Sequence, residues 1–148
     1  MVERLVANEK VEGSNPFARS IFQKSGTKIV RTCYNQFMSE LYKKKCVSCD
    51  GNTPPFDTSE IHKYLKKIDG WEVKNDSSKN YYLIKQFNFE NFIESQNFIN
   101  AASKIAETEG HHPDISFGWG YAKIKIFTHA IKGLAESDFI LASKIDQI

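Results

Sequence analysis

The spacing of apolar residues becomes regular only beyond Pro54, and from there it predicts alternating helices and strands. A short helix is predicted after Asp57, which opens an acid-x-x-Glu sequence with the spacing of a capping box, and Gly70 is its predicted stop. Longer helical patterns run from about Phe92 to Thr108 and from about Glu136 to Ile145. The predicted apolar stripe of the long helix is Phe92, Ile93, Gln96, Ile99, Ala102, Ser103 and Ala106, with Phe98 and Ile105 at its margin.

Strand patterns occupy the intervals between these helices. The first begins at Trp71, the second covers residues 81–89, and two more lie within 115–128 around a tight turn at Trp119-Gly120. The predicted fold is therefore α+β, with a four-stranded antiparallel sheet and three helices on one face, in the order αββαββα.

Composition and charge limit the classes of protein that fit. The 148 residues are 41% hydrophobic and 26% charged, as in one soluble globular domain, and no apolar run reaches the roughly 18–20 residues of a membrane-spanning helix. Residues 1–45 carry a net charge of +5 and the remainder −3. We therefore predict no membrane partner and no direct nucleic-acid partner.

The basic segment 1–45 shows no sustained period, so it is predicted to be an arm that is poorly ordered or not part of the native product, preceding a domain at 46–148. Its Gly-Ser-Asn-Pro sequence at 13–16 is what the T-arm of a transfer RNA gene would encode, which suggests an over-extended reading frame. A mitochondrial presequence is the alternative, although three early glutamates disfavour it. The expected location is cytoplasmic, or mitochondrial if 1–45 is a presequence.

Three cysteines cannot all pair within the chain, which favours a reducing compartment. Cys46 and Cys49 have C-x-x-C spacing, but no second pair of ligands follows and the next residues form a turn. This spacing favours a surface or loop pair over a zinc or redox site.

Three of the four histidines are predicted to converge. With the turn at Trp119-Gly120, paired positions sum to about 239, so His129 lies opposite Gly110 and beside His111. Pro113 makes the adjacent imidazole of His112 diverge from that of His111. Imidazoles with a pKa of about 6.5 suit proton transfer near neutral pH, whereas adjacent ligands on an extended strand suit zinc poorly. Glu107 lies one helical turn before His111.

These residues resemble the signature of the pterin-4a-carbinolamine dehydratases. The spacing of Glu107, His111-His112-Pro113, Trp119, His129 and Asp138 matches it, and so do further separated blocks across 46–148. These blocks are Cys46–Pro55, Gly70-Trp71, Gly110–Asp114, Thr128-His129, Gly133-Leu134 and Asp138–Ala142. One position departs from the pattern, since relatives commonly have Ser or Thr where this chain has Ala135, so a helix cap of about 1 kcal/mol is expected to be missing.

The resemblance implies dehydration of a 4a-hydroxytetrahydropterin to the quinonoid dihydropterin, the recycling step after an aromatic amino acid hydroxylase. It implies a homodimer or homotetramer, a pterin substrate, and no separate cofactor or metal. The implied site residues are His111 and His129 for acid/base transfer, His112 for anchoring, Glu107 and Asp138 for orientation, and Trp119 and Pro113 in the substrate pocket. The alternatives are a non-catalytic dimerisation or regulatory partner and a pterin-binding accessory protein.

Overall fold

The computed structural model describes residues 40–47 and 53–148, and its helices and strands follow the predicted order. They are α1 (Thr58–Leu65), β1 (Glu72–Asn75), β2 (Tyr81–Asn88), α2 (Phe92–Glu109), β3 (Asp114–Gly118), β4 (Tyr121–Ile126) and α3 (Glu136–Ile145). Two short 3₁₀ turns, Glu40–Lys43 and His129–Ile131, precede α1 and α3 respectively. No helix in the described part of the chain is long and apolar enough to cross a membrane.

The four strands form one antiparallel sheet in the order β1-β2-β4-β3. Side chains alternate between its faces, and the buried face pairs Leu83 with Ile126 and Ile115 with Ile124. The α+β prediction is confirmed. Residues from all three helices join this face in one core, namely Ile61, Phe98, Ile99, Ala102, Ala106, Phe139, Ile140, Leu141, Ala142 and Ile145.

The start of α1 is the predicted one. Asp57 is the N-cap, and its carboxylate accepts the Glu60 backbone N–H at 2.8 Å, while the Glu60 carboxylate accepts the Asp57 N–H at 3.2 Å. The helix ends at Leu65, well before the predicted stop at Gly70. The intervening chain still returns Ile68 to the core, so the apolar spacing continued beyond the helix itself.

The long helix α2 has the predicted length but a rotated buried face. Phe92 and Ile93, assigned to the apolar stripe, are exposed, Ile93 to 60%. Phe98, placed at the margin, is buried between Phe87 and Phe89, with ring centroids 4.4 and 5.1 Å away. The prediction for these three residues was wrong because aromatic side chains of β2 and of the turn after it, and not spacing alone, determine which side of the helix packs.

Part of the segment assigned to the N-terminal arm packs on the domain. Leu41, in the first 3₁₀ turn, is buried in the core, and Lys44 donates to the Glu136 carboxylate at the start of α3 at 2.6 Å. The rest of the proposed arm, with Cys33, lies outside the described residues, and so does Cys49 of the C-x-x-C pair.

Candidate functional site

Three separated stretches of chain surround a cavity of about 390 Å³. One is the segment that leads towards α1, one is the end of α2 with the loop that follows it, and one is the chain just after β4. The lining residues are Cys46, Val47, Glu109, Gly110, His111, His112, Phe127, Thr128 and His129. The three predicted histidines therefore share one cavity.

The β3–β4 hairpin is what brings two of these stretches together. Asp114 pairs with Lys125 and Gly118 with Tyr121, so the predicted register, with positions summing to 239, is confirmed within the hairpin. It does not extend to the predicted pairing of His129 with Gly110, because Gly110 ends α2 and lies outside the sheet. Beyond Ile126 the chain leaves the sheet and turns into the second 3₁₀ turn, which begins at His129.

The end of α2 determines where His111 lies. Gly110 has a left-handed backbone conformation, with φ +62°, which residues other than glycine rarely adopt. This conformation terminates the helix. The next backbone N–H, that of His111, donates to the Ala106 carbonyl at 3.0 Å. The loop is therefore fastened to the helix end, and the first imidazole is held against the domain.

His111 faces a fully buried carboxylate. Its Nε2 lies 3.1 Å from Asp138 Oδ1, and the ring itself is largely buried. The contact is at ion-pair distance but is not aligned as a hydrogen bond, and Asp138 Oδ1 has no other polar partner in the described residues.

The second oxygen of Asp138 is fully occupied. Oδ2 accepts the Ala135 backbone N–H at 2.7 Å and the Thr128 hydroxyl at 3.0 Å. Asp138, in the first turn of α3, therefore accepts the backbone N–H of the N-cap residue, which is one half of a capping box. As predicted, Ala135 itself contributes no side-chain cap. The buried carboxylate is fixed by two donors on one oxygen and presents the other to His111.

His112 and His129 lie in more open positions. His112 is 65% exposed, and its Nε2 lies 2.9 Å from Oε2 of Glu107, which is itself 81% exposed. His129 is exposed at the cavity edge, and its ring packs on Phe127 with centroids 4.0 Å apart. Both imidazoles are therefore accessible to a small molecule in the cavity.

Trp119 and Pro113 do not line this cavity. Trp119 is 73% exposed in the β3–β4 turn, at the end of the hairpin away from the histidines. Pro113 is half-buried directly before β3 and directs the chain into the strand. The other tryptophan, Trp71, is in the core.

The contacts that hold one wall of the cavity could not be predicted from the sequence. Glu109, almost fully buried, accepts the Cys46 backbone N–H at 2.8 Å and pairs with Lys144. Burial raises the pKa of the Glu109 carboxyl, but the Cys46 N–H and the Lys144 ammonium outweigh it, so the pKa lies below its ordinary value. Ser137 holds the next residue, since its hydroxyl donates to the Val47 carbonyl at 2.8 Å.

The thiol of Cys46 is a poor nucleophile near neutral pH, because it stays protonated. Burial, followed by the Glu109 carboxylate, raises its pKa to about 12, and the thiol donates to the Ser137 carbonyl at 3.4 Å. Within residues 40–47 and 53–148, no three His, Cys, Asp or Glu side chains are grouped so that they could hold a metal ion. The site thus offers imidazoles and carboxylates, groups that transfer protons near neutral pH.

Comparisons with known proteins point to one family. The profile of the family "Pterin 4 alpha carbinolamine dehydratase" matches residues 54–148. Proteins named "Putative pterin-4-alpha-carbinolamine dehydratase" from Rubrobacter xylanophilus and Alkaliphilus metalliredigens are 45% and 43% identical over 111 residues. These alignments cover 75% and 74% of this chain and 100% and 96% of the relatives.

A solved structure has a similar fold. It is described as a transcriptional coactivator/pterin dehydratase from Brucella melitensis, with a TM-score of 0.56 and 25% identity. The match covers 63% of this chain and 96% of that one. The family profile spans most of the chain, including every histidine of the cavity. The chain belongs to the pterin-4a-carbinolamine dehydratase family.

Proposed function

We propose that the protein dehydrates a 4a-hydroxytetrahydropterin to the quinonoid dihydropterin and water by general acid/base catalysis. The observation that carries this proposal is the shared cavity, where three imidazoles meet and one of them, His111, faces the buried carboxylate of Asp138. A cavity of about 390 Å³ has the size of a small-molecule site.

The reaction needs two proton transfers and no change in oxidation state. The bond between carbon 4a and its hydroxyl breaks, and the leaving oxygen takes a proton from an acid and departs as water. A base removes the proton of N5, and the electron pair of that N–H bond forms the new double bond between N5 and carbon 4a. Because only protons and water are exchanged, neither a redox cofactor nor a metal is required.

The three histidines are suited to different tasks. We assign the principal acid/base role to His111, because its ring lies in the cavity and the buried carboxylate of Asp138 faces it and can orient it. His129 shares the proton transfer from the open side of the cavity, and His112 anchors the substrate. Asp138 orients His111, and Glu107 contacts His112 at the surface.

The test is a stopped-flow assay of carbinolamine breakdown with the full chain. We expect acceleration above the spontaneous rate, and we expect His111→Ala to abolish it while the far-UV circular dichroism stays unchanged. His62→Ala is the matched control, because His62 is on α1, outside the cavity. Wild-type protein that fails to accelerate the breakdown would refute the proposal.

We further propose that the chain forms a homodimer or homotetramer. Strands β1 and β3 have unpaired edges, and an exposed aromatic pair, Phe92 and Phe117, lies near the end of β3 with ring centroids 5.7 Å apart. Light scattering after size-exclusion chromatography tests this directly, and a monomer at all concentrations would refute it.

A non-catalytic regulatory role is the second candidate, and the description of the Brucella melitensis structure as a coactivator favours it weakly. A pterin-binding accessory role is the third. A folded protein without turnover but with a stable protein partner would support the regulatory role. Tight pterin binding without turnover would support the accessory role.

A further inference from the structure

Thr128 occupies a position that connects the two imidazoles assigned to proton transfer. It directly precedes His129, and its hydroxyl donates to Asp138 Oδ2 at 3.0 Å, the carboxylate that faces His111. No role for this residue was predicted from the sequence. The Thr128 hydroxyl therefore contacts the carboxylate that faces His111, and the next residue in the chain, His129, carries the second imidazole.

The backbone of Thr128 is fixed independently of its hydroxyl. Its N–H donates to the Gly133 carbonyl at 3.0 Å, and its carbonyl accepts the Gly133 N–H at 3.4 Å. These two bonds close the loop that contains the 3₁₀ turn. Removing the hydroxyl therefore leaves the backbone contacts that place residue 128, so the effect of the hydroxyl is separable from the fold.

Within the described residues, two donors hold the Asp138 carboxylate, one from the backbone and one from a side chain. The start of α3 has Ala135 as its N-cap, which offers only a backbone N–H to Asp138. Within the described residues, Thr128 supplies the one side-chain hydrogen bond to this carboxylate. Two donors on Oδ2 fix the plane of the carboxylate. When one of them is removed, the carboxylate can rotate about the Cβ–Cγ bond of Asp138.

We propose that Thr128 is a positioning residue that fixes the Asp138 carboxylate and thereby holds His111 in the tautomer with its proton on Nε2. Asp138 Oδ1 is buried, has no hydrogen-bond partner among the described residues and lies 3.1 Å from His111 Nε2, so the ring satisfies this oxygen by presenting an N–H there. Nδ1 is then the unprotonated nitrogen of the neutral ring. The kinetic consequence of this inference rests on the proposed dehydratase function, whereas the tautomer itself does not.

The direct test reads the tautomer by long-range ¹H–¹⁵N correlation spectra of the full chain labelled at histidine, at a pH where the rings are neutral. We expect His111 in the Nε2–H form in wild-type protein and in Thr128→Ser, and a mixture of tautomers in Thr128→Val. His62 is the internal reference, since its Nδ1 lies 2.6 Å from the Thr58 carbonyl and should remain protonated on Nδ1 in every variant. Assignment follows from the loss of a signal in His111→Gln.

Thr108→Val is the matched control for the loss of a threonine hydroxyl. Thr108 is exposed on α2, and its hydroxyl donates to the Lys104 carbonyl at 2.8 Å, away from Asp138. We expect its spectrum to match that of wild-type protein. His111 in the Nδ1–H form in wild-type protein, or an unchanged His111 tautomer in folded Thr128→Val, overturns the proposal. Thr128→Ala replaces the valine variant if the latter does not fold, and the wild-type spectrum decides independently of both.

Kinetics supply the second readout. Loss of a hydrogen bond to a charged group predicts a fall in kcat of about tenfold or more for Thr128→Val, with KM within about twofold and recovery in Thr128→Ser. A shifted tautomer with unchanged kcat overturns the kinetic part of the inference. If wild-type protein shows no turnover, the dehydratase proposal fails, and the spectra still decide whether Thr128 positions His111.

Discussion

His111 Nε2 lies 3.1 Å from Asp138 Oδ1, and this pair joins the loop after α2 to the first turn of α3. The imidazole belongs to the cavity, whereas the carboxylate is completely buried behind it. Such an arrangement keeps a charge close to a reacting group without exposing that charge to water. In the proposed reaction, this carboxylate would orient the ring of His111.

Asp138→Asn should lower kcat more than any change that leaves the cavity lining intact. The amide keeps the shape but removes the charge, and its NH₂ group can face His111 only by forcing the ring into the other tautomer. We expect a fall in kcat of about ten- to a hundredfold. The stopped-flow assay checks this value, together with far-UV circular dichroism of the variant.

Glu107→Gln is the matched comparison for Asp138→Asn. Glu107 also contacts a histidine, but both partners are exposed, so water screens the interaction. The loss of kcat should therefore be several-fold smaller than for Asp138→Asn. Equal losses in the two variants would contradict the assignment of the stronger interaction to the buried carboxylate.

Cys46 should resist alkylation at neutral pH. Burial first, and then the Glu109 carboxylate, raise its pKa to about 12 from an ordinary value of 9.0. Only the thiolate reacts, and at pH 8 its fraction is about one in ten thousand. In a Cys33→Ser/Cys49→Ser variant, the iodoacetamide rate measured by mass spectrometry should rise about tenfold per pH unit up to pH 10 without a plateau.

Glu109→Gln provides the comparison for this experiment. It removes the second cause of the raised pKa but leaves burial in place, so alkylation of Cys46 at a given pH should become faster. The expected direction is an increase in rate, because a lower pKa means more thiolate. A rate that starts to level off above about pH 9 in the parent protein would show that the thiol has an ordinary pKa.

A buried ion pair outside the cavity should contribute to stability and not to turnover. Asp146, just after α3, accepts the Lys85 ammonium at 2.7 Å and the Trp71 indole N–H at 3.0 Å, and both charged side chains are largely buried. In Lys85→Met the carboxylate loses its cation but keeps the indole. We expect the free energy of unfolding in urea to fall by about 2–3 kcal/mol, with kcat of the folded protein unchanged.

Lys74→Met is the control for the loss of a lysine in a neighbouring strand. Lys74 pairs with Glu72 at 2.9 Å, but both side chains are more than half exposed. We expect its urea midpoint to equal that of the wild-type protein. If both lysine variants lose stability equally, the loss would reflect the strand environment and not the buried pair.

The features that sequence predicted well are those specified by neighbouring residues. A two-residue turn at Trp119-Gly120 determines the register of its hairpin. Because the hairpin places its two ends side by side, it was enough to predict that His111 and His129 share one cavity, although the predicted pairing of His129 with Gly110 does not form. The capping box at Asp57 is likewise local, and so is the start of α3 at Glu136. Each depends on a few residues adjacent in the chain.

The features that sequence did not reveal depend on residues far apart in the chain. Glu109 was not distinguishable from a surface acid until the structure placed Lys144 and the Cys46 N–H against it. The position of Thr128 beside the carboxylate that faces His111 likewise became apparent only from its hydrogen bond to Asp138. In the same way, Phe98 is buried because Phe87 and Phe89 lie opposite it, and helical spacing alone carries no information on them.

Ala135→Ser should stabilise the domain, because the N-cap residue of α3 has the backbone conformation of a cap but no side-chain oxygen to accept an N–H of the first turn. Ala135 is extended, with φ −134° and ψ 178°, the conformation of an N-cap residue, and its side chain makes no hydrogen bond. A serine oxygen there can accept an N–H of the first turn of α3. Ala135 lines a groove beside the start of α3.

We expect the free energy of unfolding of Ala135→Ser to rise by about 0.5–1 kcal/mol, measured by urea denaturation. Ala135→Cys is the near-isosteric control, because a thiol is a much weaker acceptor than a hydroxyl and should give little of this gain. An equal rise in both variants would attribute the effect to filling of the groove. No rise in the serine variant would show that the hydrogen bond from the Ala135 N–H to the Asp138 carboxylate already satisfies this helix end.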